Sequence, residues 1–296
     1  LYSSAASDVY KRQAVSVDHV ETPAAGGNGV STQAHAIACY GLTYFYAGKP
    51  VLNEVSIEIP RDRITALLGP NGSGKSTLLK LLAGILSIRG AKGASGSIRC
   101  LGQELSNLSS ERRGQAIAYV APDLRAEFPL TAYETVLIGR GCRTGGAGRA
   151  DADAVQAAME RTFCWGLRDR DLHTLSGGER QLVAVARAIA QGARTLLLDE
   201  TLSRMDLHHQ ARIGGLLRSL VRDESYAVVL VAHDLNLASE WADDCVLLER
   251  GQRVAGGPLK ETLTSENLAR LYPGADIQVA PSPVTGAPKV FFGAQK

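Results

Sequence analysis

From residue 35 onward, hydrophobic and polar positions along the chain follow two periods. Residues 35–44 and 51–59 alternate apolar with polar side chains, the pattern of half-buried strands. Residues 64–68 (ITALL) form a short apolar strand that runs straight into a Gly-rich loop, after which Leu78, Leu81, Leu82 and Ile85 recur at helical spacing. Residues 195–198 and 227–231 are apolar without alternation, as strands covered on both faces of a parallel sheet are. Residues 179–191 read as a helix with Leu182, Val185, Ala186 and Ile189 on one face. Strands alternating with helices predict a mostly parallel α/β sheet. Residues 124–173 carry helix-like stretches and little strand, so they are expected to form a helical subdomain, with 139–148 (GRGCRTGGAG) as a flexible loop inside it. No internal repeat is visible.

Residues 1–34 show neither period. Ser, Ala, Gly and Thr dominate there, and the segment is expected to be a disordered tail or a sequence artefact. The folded domain is expected over 35–290, with 291–296 as a C-terminal tail. The length of 296 residues suits one large α/β unit with subdomains. A hydrophobic share of 45% excludes disorder of the whole chain. The 32 basic and 30 acidic residues leave a net charge of +2, which gives no overall electrostatic reason to bind nucleic acid or an anionic membrane. No run approaches the ~18 apolar residues of a membrane-spanning helix. The five cysteines are scattered and form no C-x-x-C pair, so free thiols are expected and zinc lacks a ligand pair.

The chemistry begins at residues 69–77, GPNGSGKST, which fit G-x-x-x-x-G-K-[ST]. Gly69, Gly72 and Gly74 let the backbone wrap closely and aim its N–H groups, with that of Asn71, at phosphate oxygens. The following helix adds the positive end of its dipole. Lys75 can reach the β- and γ-phosphates of ATP, the Ser76 hydroxyl can ligate Mg²⁺, and Thr77, which follows the motif directly, is a further candidate for the phosphates. A strand leading into the loop and a helix leaving it are the context that a phosphate loop needs. At 196–200 the run LLLDE places two carboxylates where a buried strand emerges, the end at which open α/β sheets bind ligands. Asp199 is expected to hold Mg²⁺, directly or through water, and Glu200 to polarise the attacking water as general base. An apolar run ending in Asp-Glu is also what an ordinary solvated strand end looks like. The phosphate loop in the same chain favours the functional reading.

Residues 175–181, LSGGERQ, are similar to the signature of ABC-type ATPases, the nucleotide-binding subunits of ABC transporters. Read alone, the stretch is a helix start capped by Ser176 with Glu179 three residues on, and a helix N-terminus is itself an anion site. The resemblance covers about residues 36–290. It implies an α/β fold with a RecA-like P-loop core, an antiparallel β subdomain near 36–62 and 96–103, and a helical subdomain. It also implies a head-to-tail homodimer in which Ser176, Gly177 and Gly178 of one subunit contact ATP held by the other. Asp206 matches the aspartate that communicates across that interface. His233 matches the switch histidine that contacts the γ-phosphate and the attacking water. Tyr46 matches the aromatic that stacks on adenine, with Tyr44 and Phe45 as neighbouring candidates.

Two positions depart from the family pattern. Pro122 stands where the family carries a glutamine that helps to ligate Mg²⁺ and couples the helical subdomain to the site, and proline offers no side-chain ligand. Thr201-Leu202 replaces the family's Pro-Thr after the catalytic glutamate. Residues 128–140, 232–238, 256–258 and 283–288 resemble the importer ATPases for iron chelates, haem and cobalamin. The resemblance therefore implies an ATPase at the cytoplasmic face of the bacterial cell membrane, docked on integral-membrane permease subunits through a groove at about 123–140. A substrate-binding protein would deliver the cargo, and no nucleic acid is involved. The rival readings are an ABC ATPase without a transport role, an ATP-binding module whose hydrolysis is impaired by Pro122, and a small-molecule P-loop kinase. The signature stretch speaks against the last.

Overall fold

The computed structural model describes residues 35–46, 48–124, 128–142 and 148–293. The expected tail at 1–34, the middle of the Gly-rich loop at 143–147 and the last three residues lie outside the described residues. The strands are β1 His35–Tyr46, β2 Lys49–Pro60, β3 Arg63–Leu68, β4 Ser95–Cys100, β5 Gln103–Glu104, β6 Ile117–Val120, β7 Thr195–Asp199, β8 Ala227–Val231, β9 Asp244–Glu249, β10 Gln252–Pro258, β11 Ile277–Pro281 and β12 Pro288–Phe292. The helices are α1 Lys75–Leu82, α2 Ser110–Ala116, α3 Ala132–Ile138, α4 Arg149–Arg161, α5 Gly177–Gln191, α6 Leu207–Glu224, α7 Leu235–Trp241, α8 Leu259–Thr262 and α9 Ser265–Leu271. None of them is long and apolar enough to cross a membrane.

A six-stranded sheet in the order β10-β9-β3-β8-β7-β6 forms the centre, and only β10 pairs antiparallel in it. The unalternating runs of β7 and β8 are buried along their whole length because both faces of the sheet are covered, one by helices such as α5 and α6 and the other by α1 and an antiparallel sheet. A second, antiparallel sheet runs β2-β1-β4-β5. Its alternating strands turn Ile37, Cys39, Leu42, Leu52, Val55, Ile57 and Ile59 onto a core shared with Leu67 of β3 and Leu78 of α1. Such a P-loop α/β architecture, with mixed sheets and helices, is the expected fold class.

Between β6 and β7 the chain is helical. Val136 of α3 and Val155 and Met159 of α4 join the cluster that includes Leu182 and Val185 of α5. Gly139–Cys142, expected as loop, continues α3 as a turn of 3-10 helix. The helical spacing that reached Ile85 overshoots. Helix α1 stops at Leu82 because Gly84 takes φ +69°, and Ile85 is left exposed beyond it. Residues 291 and 292, expected in a tail, belong to β12, which pairs with β11. That hairpin is held by Asn236 of α7, whose amide receives the Val290 N–H at 2.7 Å and donates to the Val290 carbonyl at 3.0 Å.

Sheet register sets the position of the functional residues. Leu67 lies opposite Val231, and Val231 opposite Asp199, so β3, β8 and β7 end at one level. The loops that leave them carry residues 69–74, Glu200 and His233. Three segments far apart in sequence therefore open at the same carboxyl edge.

Candidate active site

Two glycines of the phosphate loop sit where a side chain has no room. Gly69 has φ +148°, and a Cβ there would lie 2.0 Å from the Leu248 carbonyl oxygen. Gly74 has φ +99°, and its Cβ would meet Leu52 Cδ2 at 2.7 Å and the Val51 carbonyl at 2.8 Å. The loop is thus pressed against β2 and β9 by its own backbone. Helix α1 follows with Gly74 as N-cap, no side-chain cap and no acidic residue in its first turn. Its first N–H groups are left for an anion. Asn71 and Gly72 are exposed on the loop, and Thr77 is half-buried one turn into the helix. The Ser73 hydroxyl is buried without a partner among the described residues.

Lys75 is buried, and its ammonium donates to the carbonyls of Gly69 and Pro70, both at 2.8 Å. Burial pushes its pKa down, and the carboxylates of Glu200 and Asp199 push it back up. One strand over, Asp199 is fully buried and accepts hydrogen bonds at 2.9 Å on each oxygen, from Ser76 Oγ on Oδ1 and from the Tyr119 hydroxyl on Oδ2. Burial raises the Asp199 pKa, and the Tyr119 and Ser76 hydrogen bonds oppose that rise. A hydroxyl and a carboxylate oxygen that already converge make an all-oxygen pair of the kind that suits Mg²⁺, an ion that takes few protein ligands and keeps water and phosphate as the rest. No cluster of three or more His, Cys, Asp or Glu suited to a metal occurs among the described residues. The fit is therefore to a shared Mg²⁺–phosphate site rather than to an all-protein cage.

Glu200 turns the chain out of the sheet with φ +52°, a left-handed conformation that is uncommon for a non-glycine residue. The turn is held by its N–H on the Val231 carbonyl at 3.1 Å and by Ser203 Oγ on its own carbonyl at 2.6 Å. His233 Nε2 lies 2.6 Å from Glu200 Oε1, so the expected base and the expected switch histidine are in contact.

The signature is a different kind of helix start. Ser176 caps α5 by accepting from the Glu179 N–H at 3.2 Å, and Glu179 accepts from the Ser176 N–H at 2.7 Å. Arg170 pairs with Glu179 at 3.2 Å. Ser176 and Gly177 are exposed, and a Cβ on Gly177 would meet nothing within 4 Å. Among the described residues no hydrogen bond joins 176–178 to the phosphate loop. Asp206 caps α6, accepting from the His209 N–H at 2.8 Å, and Leu207 beside it is 79% exposed. Tyr46 is exposed at the end of β1, whereas Tyr44 is buried in the core and the Phe45 ring packs against Gly93.

The ABC transporter family model matches residues 52–203, just over half of the chain. This chain belongs to the ABC transporter family. It is an ATP-binding subunit with ATPase activity. A hemin import ATP-binding protein of Streptomyces coelicolor is 40% identical over 252 residues, covering 84% of this chain and 87% of that protein. One of Escherichia coli O157:H7 is 35% identical over 260 residues, covering 86% and 98%. Among solved structures, a metal-chelate type ABC transporter in an inward-facing conformation superposes with a TM-score of 0.73 at 28% identity, covering 88% of this chain and 97% of that one. A dimeric bacterial ABC transporter cassette, at 23% identity, has a TM-score of 0.68 over 75% of this chain and 98% of that one and speaks for the fold alone.

Two further side chains lie at the site of this ABC ATPase. Tyr119 carries the one hydroxyl in the otherwise apolar four-residue strand β6. Gln181, the last residue of the signature stretch, is buried and donates from Nε2 to the Pro122 carbonyl. The proline that replaces the family's glutamine is thus held by its backbone.

Proposed function

We propose that this chain works as a head-to-tail homodimer that hydrolyses ATP to drive import of haem, ahead of an iron-siderophore or cobalamin. The observation that carries the dimer is the contrast between glycines. Nothing inside the chain requires glycine at 177, where φ is ordinary and a side chain would have open space, yet the residue sits at an exposed helix N-terminus. A surface that must approach another molecule supplies the requirement. The preference for haem rests on relatives that are named as hemin import proteins and on the metal-chelate type neighbour.

In this reading the backbone of Gly69, Asn71, Gly72 and Gly74 and the side chains of Lys75 and Thr77 hold the phosphates of ATP. Lys75 leaves the Gly69 and Pro70 carbonyls to do so. Ser76 and Asp199 hold Mg²⁺, which when bound neutralises charge on the phosphate oxygens. Glu200 takes the proton of the water that attacks the γ-phosphorus, and ADP leaves as the bond to the β-phosphate oxygen breaks. His233, now against Glu200, turns to the γ-phosphate. Ser176, Gly177 and Gly178 of the second copy close over it, Asp206 lies at the same seam, and Tyr46 stacks on the adenine. Closure and reopening of the pair pass to integral-membrane permease subunits at the cytoplasmic face, fed by a substrate-binding protein. Exposed Phe128 and Ile138 lie in the segment expected to meet the permease.

Uptake of labelled haem, ferric siderophore and cobalamin by cells that carry Glu200→Gln in this chain tests the reading. Loss of haem uptake alone is expected. Intact haem uptake would overturn the haem assignment, and intact uptake of all three would overturn the importer role.

A further inference from the structure

The Asp199 carboxylate has two oxygens with different neighbours. Oδ1 faces Ser76, the hydroxyl that turns to the metal, while Oδ2 is taken by the Tyr119 hydroxyl at 2.9 Å. Asp199 is fully buried, so no water replaces a lost partner on Oδ2.

The seat of Tyr119 is itself fixed. Strand β6 pairs parallel with β7, with Tyr119 opposite Leu197. Both ends of β6 are also tied to α5. Gln191 Nε2 donates to the Ile117 carbonyl at 2.8 Å and to the Gly114 carbonyl at 2.5 Å, and Gln181 Nε2 donates to the carbonyl of Pro122, two residues past the strand. Along the strand Tyr119 lies between these two backbone clamps, while its ring packs on the opposite face against the cluster that holds Ile117 and Leu197.

We propose that Tyr119 is a positioning residue of this ATPase: its hydroxyl locks Oδ2 of Asp199 and leaves Oδ1 as the oxygen offered to the metal. The strand that carries it is tied at both ends by the two glutamine clamps from α5, the helix that carries the signature. The link between helix and metal carboxylate in this chain is therefore a tyrosine on β6, with Pro122 contributing only a backbone carbonyl. The inference rests on the assignment of Asp199 to Mg²⁺.

The test compares nucleotide affinity in Mg²⁺ and in EDTA, by calorimetry with a non-hydrolysable ATP analogue, for the full chain, Tyr119→Phe and Asp199→Asn. Phenylalanine keeps the ring and its packing. A polar partner that orients a metal ligand is worth roughly 10- to 100-fold in metal affinity. Tyr119→Phe is therefore expected to lose about tenfold or more of the enhancement by Mg²⁺, with affinity in EDTA unchanged. Mn²⁺ in place of Mg²⁺ should give a broader electron paramagnetic resonance signal in Tyr119→Phe than in the parent protein, because the carboxylate can rotate. Full Mg²⁺ enhancement and an unchanged Mn²⁺ signal in Tyr119→Phe would overturn the proposal, as would equal losses in Mg²⁺ and EDTA. Enhancement that survives in Asp199→Asn would instead overturn the assignment of Asp199 to the metal.

Discussion

Two helices of this ATPase begin with glycines, and their first turns are finished in opposite ways. Helix α1 has no side-chain cap, no acid in its first turn and a glycine loop wedged against β2 and β9. Its N–H groups are left over, and Gly69 and Gly74 leave no room for a side chain. Helix α5 uses Ser176 and Glu179 to satisfy the Glu179 and Ser176 N–H groups and places an open, exposed glycine on the surface. The first is a pocket that this chain completes alone. In the proposed dimer the second is a face that acts once the other copy docks on it. A helix dipole is common to both. What separates them is whether a side-chain cap takes any of the orphan N–H groups and whether the glycines are wedged against neighbouring strands.

The strongest way to sharpen this contrast is to remove the chemistry and keep the pocket. Glu200→Gln should lower turnover by about 10²- to 10⁴-fold, the usual contribution of a positioned general base, while ATP affinity is retained. Equal turnover would take Glu200 out of the role. Gly177→Asp probes the other face. An aspartate at a first helical position suits the dipole, so stability should stay within about 0.5 kcal/mol by thermal unfolding. Hydrolysis should still fall by roughly 10²-fold, because like charge set against the γ-phosphate of the second copy costs several kcal/mol. The matched change inside the pocket reverses the pattern. Gly69→Ala should cost roughly 2–3 kcal/mol of stability, since the Cβ meets a backbone carbonyl and φ is unsuited to alanine. A neutral Gly69→Ala together with a destabilising Gly177→Asp would break the comparison. The smallest effect belongs to Ser176→Ala, which should cost about 1 kcal/mol in denaturant unfolding through the lost cap.

Most of the pocket was legible before any coordinates because its parts are contiguous. GPNGSGKST carries loop, lysine and hydroxyl in one run, and LLLDE announces a buried strand ending in two acids. Parallel strands align their carboxyl ends, so the meeting of Gly69, Asp199 and His233 follows from strand order. Tyr119 escaped because its bond to Asp199 depends on the β6–β7 register, which no local pattern encodes. Gln181 escaped for a similar reason, since its partner is a backbone carbonyl about sixty residues away in sequence. The end of α1 was misjudged because the helical period of Leu78, Leu81 and Leu82 continues to Ile85, while the glycine that stops the helix sits one residue before it.

The central claim is that one chain holds a finished half and an unfinished half of the site. Mg²⁺-ATP hydrolysis by the purified chain, measured against protein concentration with Glu200→Gln as the blank, tests it most directly. The account predicts a specific activity that rises with concentration and reaches a plateau where sedimentation shows a dimer. A specific activity that stays constant down to concentrations at which the chain sediments as a monomer would contradict it.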